Sequence, residues 1–138
     1  MTATEALLSV VFLTVGCGIK TSGVAGAGGV TADGRPIGGA LVTLQPIGGT
    51  AGATVTIPVF DGRYAFDPDD GLRAGRYRVR VSLLPDEVRS KIPPPHAETV
   101  PPAGWFVDAA DDAESRREIR LTADGPNTND FDVRLIRP

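Results

Sequence analysis

The sequence predicts a small all-β domain, an antiparallel β-sandwich, and three observations lead to this fold class. The chain has 138 residues with 17 glycines and 12 prolines but only 6% aromatic side chains, which favours short strands and turns over long helices. Asp-Gly pairs punctuate the chain, and this dipeptide supplies the positive φ angles that tight hairpin turns require. Between these pairs, apolar and polar residues alternate, which is typical of strands with one buried face.

The clearest strand is predicted at residues 76–83, where every second side chain is apolar and faces inward. The residues between them on the solvent face are Arg76, Arg78 and Arg80. Shorter alternating segments predict further strands at 40–44, 54–59, 64–66, 119–121 and 131–135. Pro58 interrupts one of them and cannot donate a ladder hydrogen bond, so we expect that strand at a sheet edge or with a bulge.

A proline-rich segment, residues 85–115, breaks this alternation. Its prolines cannot pair in a sheet and tend towards extended conformations, so we expect a long surface loop. Loops of this length are uncommon in compact domains and are often functional. The segment contains the single histidine of the chain, His96, and its single tryptophan, Trp105.

The first residues resemble the signal peptide and lipobox of a bacterial lipoprotein. An apolar run at residues 6–16, too short to span a membrane, ends at the single cysteine, Cys17, which has glycine on both sides. The resemblance implies that residues 1–16 are removed and that lipidated Cys17 anchors an exported protein to the cell membrane or outer membrane, on the periplasmic side or at the surface. Residues 17–29 would then form a flexible tether. Alternatively, the apolar run is a buried element and Cys17 an inert core thiol.

The segment from residue 30 to 136 resembles a carboxypeptidase-regulatory-like domain, a transthyretin-like family. Four motifs carry the likeness in order, each an Asp-Gly turn or an alternating strand: residues 30–44, 60–66, 72–81 and 125–133. The resemblance implies a seven-stranded sandwich of the prealbumin-like or Ig-like Greek-key kind. Lipoproteins of this build are similar to secreted proteins of planctomycete-type bacteria. The resemblance implies no activity, because this fold hosts many functions.

Charge and composition argue against several classes of function. A net charge of −3 does not favour nucleic-acid binding, which calls for a clustered basic surface. A single histidine cannot supply the sets of catalytic or iron-binding residues that enzymes on related sandwiches use. Ser-His-Asp chemistry would depend on His96, which we interpret as a solvated loop residue. We therefore expect no enzymatic activity and no cofactor.

Two groups of side chains are candidates for contact with a ligand or partner. The basic stripe of Arg76, Arg78 and Arg80 could bind an acidic glycan, or it could be a solvated face with cross-strand ion pairs. Trp105 and Phe106 are aromatic residues of the proline-rich segment. They could stack on a sugar or dock a partner, or Trp105 could fold back and anchor the segment to the sandwich.

A weak calcium candidate precedes Gly71. Asp67, Asp69 and Asp70 place three carboxylates in one turn, and carboxylate oxygens are typical calcium ligands. Their spacing does not fit an EF-hand loop, and aspartates also favour turns because they hydrogen-bond nearby backbone groups. Plain turn chemistry is therefore the alternative to a metal site.

The sequence as a whole predicts a non-enzymatic, membrane-anchored lipoprotein module that serves envelope structure or protein interaction. The alternative is a carbohydrate-binding module on the cell surface, which would use Trp105 and the arginine stripe. The expected partners are the membrane, through the lipid on Cys17, and an envelope protein or glycan, but not nucleic acid.

Overall fold

The computed structural model describes residues 23–138, which form a β-sandwich-like all-β fold with little helix. The predicted signal peptide and residues 17–22 of the predicted tether, including Cys17, lie outside these residues. Ten strands follow one another along the described chain: β1 (Gly26–Ala32), β2 (Arg35–Pro36), β3 (Ala40–Ile47), β4 (Val55–Val59), β5 (Arg63–Phe66), β6 (Gly75–Leu83), β7 (Phe106–Val107), β8 (Glu118–Leu121), β9 (Phe131–Val133) and β10 (Leu135–Ile136).

The strands form two main sheets and one small pair. In the first sheet, β1 pairs with β2, β5 and β9, whereas the second sheet has the order β4-β3-β6-β8. The short strands β7 and β10 pair with each other. Alternate residues of both main sheets supply one hydrophobic core, in which Val30, Leu44, Tyr77 and Val79 are fully buried.

The predicted faces of β6 are confirmed. Tyr77, Val79 and Val81 are buried, whereas the three arginines between and before them are exposed. The edge position of the strand that contains Pro58 is also confirmed, because β3 is the one strand with which β4 pairs among residues 23–138.

Two of the Asp-Gly pairs form the predicted hairpin turns. Asp33 and Asp61 each have a φ angle of 53°, and the glycines that follow them have φ angles of 78° and 79°. Two successive positive φ angles match the right-handed twist of the flanking strands, which favours tight hairpins. These turns join β1 to β2 and β4 to β5.

The prediction of a purely antiparallel sandwich is wrong at one pair of strands. The strands β1 and β9 run parallel, with Val30 opposite Phe131 and Ala32 opposite Val133. Alternation shows which face of a strand is buried but not the direction of its neighbour. No hairpin joins these two strands, which are about one hundred residues apart, so local turn chemistry does not constrain their relative direction.

The tether prediction extends too far, because β1 begins at Gly26 inside it. The glycines in this stretch permit close packing and do not signal mobility. A Cβ atom on Gly28 would collide with the carbonyl of Asn129, and one on Gly26 would collide with the ring of Phe66. Val24 is already part of the core, and its amide donates to the Leu72 carbonyl at 2.8 Å.

The proline-rich segment is more ordered than the predicted surface loop. It contains a four-residue helix, α1 (Asp86–Arg89), two 3₁₀ turns at His96–Thr99 and Ala109–Asp111, and the strand β7. Side-chain contacts that proline spacing does not reveal hold these pieces against the sandwich.

Candidate functional site

The Arg89 guanidinium holds the proline-rich segment in shape. Its side chain is almost completely buried, and its Nη1 atom donates to the Leu84 carbonyl at 2.6 Å. Its Nη2 atom donates to the Pro102 carbonyl at 2.7 Å, and Nε donates to the Pro101 carbonyl at 3.2 Å. Arg89 therefore joins the beginning of the segment to a stretch that lies about a dozen residues later.

Asp86 completes this arrangement. Its Oδ1 atom accepts from Arg89 Nη2 at 2.8 Å, and both of its carboxylate oxygens lie 3.1 Å from the Gly104 amide. Asp86 and Arg89 thus fix the backbone immediately before Trp105. Sequence reasoning missed Arg89; the available signal was an acid and a base three residues apart among prolines.

A second attachment joins the segment to the hairpin between β4 and β5. His96 Nδ1 lies 2.7 Å from Asp61 Oδ2, and the Thr99 hydroxyl donates to Asp61 Oδ1 at 3.3 Å. The Gly38 amide donates to the Thr99 carbonyl at 3.0 Å. Half of the His96 side chain is exposed, as predicted for a loop residue, but the ring also connects two parts of the chain.

These residues do not form a nucleophile-activating arrangement in the portion of the chain that is described. The Thr99 hydroxyl lies 3.3 Å from both Asp61 Oδ1 and the His96 carbonyl oxygen, and it donates its single hydrogen to one of these acceptors and not to the imidazole. Within residues 23–138, the His96 ring has Asp61 as its hydrogen-bond partner, so the group orients the 3₁₀ turn.

Trp105 lines an open groove beside this attached segment. The groove has a volume of about 680 Å³ and lies between the β1–β2 hairpin, the residues around Pro101 and the end of the chain. We call it the Trp105 groove; its main lining residues are Arg35, Ile37, Glu98, Pro101, Trp105 and Arg137. The Arg137 guanidinium lies 5.1 Å from the centre of the Trp105 ring, a distance typical of a cation–π contact.

Trp105 and Phe106 have different surroundings. Trp105 is half-buried, as expected of an anchor, yet it also faces the groove, as expected of a contact residue. Phe106 pairs with Ile136 in the small sheet and remains 52% exposed. Of the two aromatic residues, only Trp105 is a lining residue of the groove.

The arginine stripe forms a separate surface. Arg76 Nη2 lies 2.9 Å from Glu118 Oε1, and Arg80 Nη2 lies 3.0 Å from Asp112 Oδ1, so the stripe carries ion pairs as the sequence alternative proposed. Arg78 has no salt bridge within residues 23–138, although Glu118 lies directly opposite it in the ladder. None of these arginines lines the Trp105 groove, so the stripe and Trp105 do not form one site.

The aspartates of the calcium candidate contact backbone amides. Asp67 Oδ1 accepts from the Asp69 amide at 2.9 Å, and Asp70 Oδ2 accepts from the Asp67 amide at 2.8 Å. These bonds cap the 3₁₀ turn at Pro68–Asp70. Across residues 23–138, no group of three or more histidine, cysteine or acidic side chains is placed to hold a metal ion. The turn-chemistry alternative explains the cluster.

A third attachment, also missed from the sequence, joins the end of the proline-rich segment to β9. Arg117 lies 3.1 Å from Asp111 Oδ1 and donates to the Asp132 carbonyl at 3.0 Å. Asp132 Oδ1 accepts from the Thr31 hydroxyl at 2.6 Å and from the Gly34 amide at 3.3 Å. These two hydrogen bonds, together with the Arg117 charge, lower the pKa of Asp132. The segment is therefore held at its beginning, middle and end.

Comparison with known proteins adds no relative. No family model, no curated protein and no solved structure matches the chain. The structure contains no helix within residues 23–138 that is long and apolar enough to cross a membrane.

Proposed function

We propose that this protein is a non-enzymatic, lipid-anchored module of the bacterial cell envelope that binds a protein partner in the Trp105 groove. The observation that carries this proposal is the groove itself, one wall of which is the proline-rich segment. Arg89 braces this segment internally, and His96 and Arg117 attach it to the sandwich. A segment ordered before binding loses little conformational entropy when a partner docks, so preorganisation of this kind favours affinity.

The charges around the groove suit a polypeptide partner. Arg35 and Arg137 supply two cations, Asp33 and Glu98 supply two anions, and none of the four forms a salt bridge within residues 23–138. Trp105 lies among them, and Trp and Arg are the residue types that most often dominate the binding energy of protein interfaces. A partner segment with side chains of both charges would complement these four residues of the groove.

A carbohydrate-binding module is the second candidate function. Its support is the half-buried indole of Trp105 in an open groove, because aromatic rings with one wet edge stack on sugars. Arg137 lies over this ring, so a sugar would stack on the opposite face or displace the guanidinium. The protein-partner proposal needs no such displacement and is therefore preferred.

The proposal includes a prealbumin-like sandwich of seven principal strands. Seven of the ten strands are three or more residues long, and the other three (β2, β7 and β10) have two residues each. The strand order of the second sheet, β4-β3-β6-β8, favours the prealbumin-like alternative over the Ig-like one. In an Ig domain the first two principal strands share a sheet, whereas the first two principal strands here, β1 and β3, belong to different sheets.

The lipid anchor is proposed from the sequence resemblance around Cys17. Metabolic labelling with a clickable fatty-acid analogue in a bacterial host tests it. We expect label on the wild-type protein and none on Cys17→Ser. An unlabelled wild type, or label that survives Cys17→Ser, would contradict the anchor and leave the groove proposal untouched.

Photo-cross-linking in the cell envelope tests the groove. A photoreactive amino acid at Glu98, on the groove wall, should capture one defined envelope protein, and the same probe at Asp69 in the capped 3₁₀ turn should not. We expect Trp105→Ala to abolish the Glu98 adduct without lowering the melting temperature enough to unfold the protein. Equal adducts from both positions, or an adduct that Trp105→Ala does not weaken, would refute the proposal. Glycan-array binding lost in Trp105→Ala would favour the second candidate.

A further inference from the structure

The outer surface of the second sheet, β4-β3-β6-β8, carries a concentration of positive charge that the proposed function does not use. Four exposed arginines of two neighbouring strands define it: Arg76, Arg78 and Arg80 on β6, and Arg120 on β8. We call this surface the arginine face. It occurs on a chain whose net charge is −3.

The strand register sets like charges against each other on this face. Arg76 lies directly opposite Arg120, and like charges in directly opposed positions destabilise a sheet. The one acid of β8, Glu118, lies opposite Arg78 but binds Arg76 at 2.9 Å. Arg78 and Arg120 therefore have no salt bridge within residues 23–138.

The other strands of the sheet do not neutralise the excess. Neither β3 nor β4 contains a charged residue, and Thr43, Gln45 and Ile47 lie opposite the β6 arginines. Four cations thus face two carboxylates, Glu118 and Asp112, which leaves an excess of two positive charges. Ion pairs with Glu118 of the sheet and with Asp112 outside it account for two of the four arginines and leave the other two for solvent or a ligand.

We infer that the arginine face binds an extended polyanionic polysaccharide through its carboxylate or sulfate groups. Arginine suits this role because its planar guanidinium donates two parallel hydrogen bonds to such anions. Successive arginines on β6 are about 7 Å apart, and paired strands are about 4.8 Å apart, so the cations form a flat array that contacts a linear polymer at several points.

An anionic bilayer is a weaker match for this face. Gly23, at the amino-terminal end of the described residues, packs against the turn at Pro68–Asp70, because a Cβ atom on it would collide with the backbone of Pro68. Asp67, Asp69 and Asp70 are all exposed at this end. An anionic membrane close to the point where the chain enters would repel these carboxylates, whereas a polymer can approach the side of the sheet.

Binding of two polyanions to the purified protein tests the inference. The probes are polygalacturonate, which carries carboxylates, and heparin oligosaccharides, which carry sulfates, each titrated at several salt concentrations. The test variant is Arg78→Gln/Arg120→Gln, which leaves both observed ion pairs intact. The matched control is Arg63→Gln/Arg134→Gln, which removes the same charge from exposed arginines outside the face.

We expect the test variant to weaken binding of at least one of the two polymers by about tenfold at low salt and to reduce the slope of log affinity against log salt by about two, roughly one for each lost cation. The control variant should stay within about twofold of wild type, since its net charge is the same but the face is complete. Thermal melting should show all three proteins folded.

Several outcomes would overturn the inference. Equal losses in the two double variants would mean that net charge alone attracts the polymers. If the wild type bound neither polymer at low salt, the arginine face would not be a polysaccharide-binding site. Binding of duplex DNA or of phosphatidylglycerol vesicles as tight as that of the polysaccharides, and equally sensitive to Arg78→Gln/Arg120→Gln, would show that the face does not select a polysaccharide. The Trp105 groove plays no part in this test.

Discussion

Replacement of Arg89 should be the most damaging single change in the proline-rich segment. The Arg89→Ala variant removes a buried guanidinium that donates to three backbone carbonyls and one carboxylate. Alanine has no side-chain donor, so the carbonyls of Leu84, Pro101 and Pro102 lose the guanidinium as their partner. We therefore expect both global destabilisation and loss of order in the stretch before Trp105.

The magnitude follows from the geometry. Loss of one member of a buried ion pair costs about 3–5 kcal/mol, and an unsatisfied buried carbonyl costs about 1–3 kcal/mol. The Asp86 side chain is 52% exposed, so water can solvate its carboxylate, and the lower end of the first range applies. We expect a loss of about 3 kcal/mol in the free energy of unfolding, or roughly 10 °C in melting temperature for a domain of this size.

Urea denaturation and amide hydrogen exchange together test this expectation. Arg89→Lys keeps the charge but offers one nitrogen, so its stability should lie between that of wild type and that of Arg89→Ala. The Gly104 amide, which donates to Asp86, should lose protection in Arg89→Ala. Arg63→Ala, an exposed control, should change stability by less than about 0.5 kcal/mol. An Arg89→Ala protein within 1 kcal/mol of wild type, with Gly104 still protected, would refute the reasoning.

Three further predictions concern the paired strands β1 and β9 and their neighbours. Gly28→Ala should lower the free energy of unfolding by about 1–3 kcal/mol because the new Cβ would collide with the Asn129 carbonyl. Gly29→Ala, whose Cβ would have its nearest contact at 3.4 Å, should lower it by less. Similar urea midpoints for the two variants would contradict this. Burial raises the pKa of Tyr64 far above 10, so the free energy of unfolding should fall as the pH rises past about 10, where the phenol of the unfolded chain ionises. The Tyr64→Phe variant should show a flatter decline. An unchanged slope in this variant would count against the prediction. The pKa of Asp132 is lowered, so the stability that its carboxylate contributes should be lost as the pH falls below about 4. The Asp132→Asn variant should therefore show a smaller fall in melting temperature on the acid side. Parallel curves of melting temperature against pH for the variant and the wild type would contradict this.

The parts of the fold that could be predicted depend on local chemistry. The faces of β6 follow from a period of two along nine residues, and burial of Tyr77 and Val79 obeys that period. The turns at Asp33 and Asp61 follow from the tolerance of aspartate and glycine for positive φ. Neither feature requires knowledge of a distant part of the chain.

The parts that could not be predicted depend on contacts between distant residues. Glycines at the beginning of β1 suggested a tether, yet Gly28 is fixed by the Asn129 backbone about a hundred positions later. Arg89 resembles any surface arginine until Pro101 and Pro102 are placed beside it. Single-sequence patterns carry no information about such pairings.

The candidate site divides in the same way. Trp105 stood out in the sequence because a lone tryptophan in a proline-rich stretch is unusual, but the groove around it could not be foreseen. Arg35 and Arg137 form part of the same wall although they come from opposite ends of the domain. Trp105 could be identified from the composition of the chain, whereas its charged neighbours Arg35 and Arg137 are brought beside it by the fold.

The parallel pairing of β1 with β9 has a mechanical consequence for a domain anchored at one end. Tension between a fixed amino-terminal side and a load near the carboxyl terminus would pull the two strands in opposite directions along their axes. The ladder from Val30 to Ala32 and the bonds of Ala27 with Asn127 and Asn129 would then bear the force together, in shear. Bonds loaded in parallel rupture at a higher force than bonds opened one after another. The domain would thus resist stretching between the lipid anchor and the groove partner that we propose.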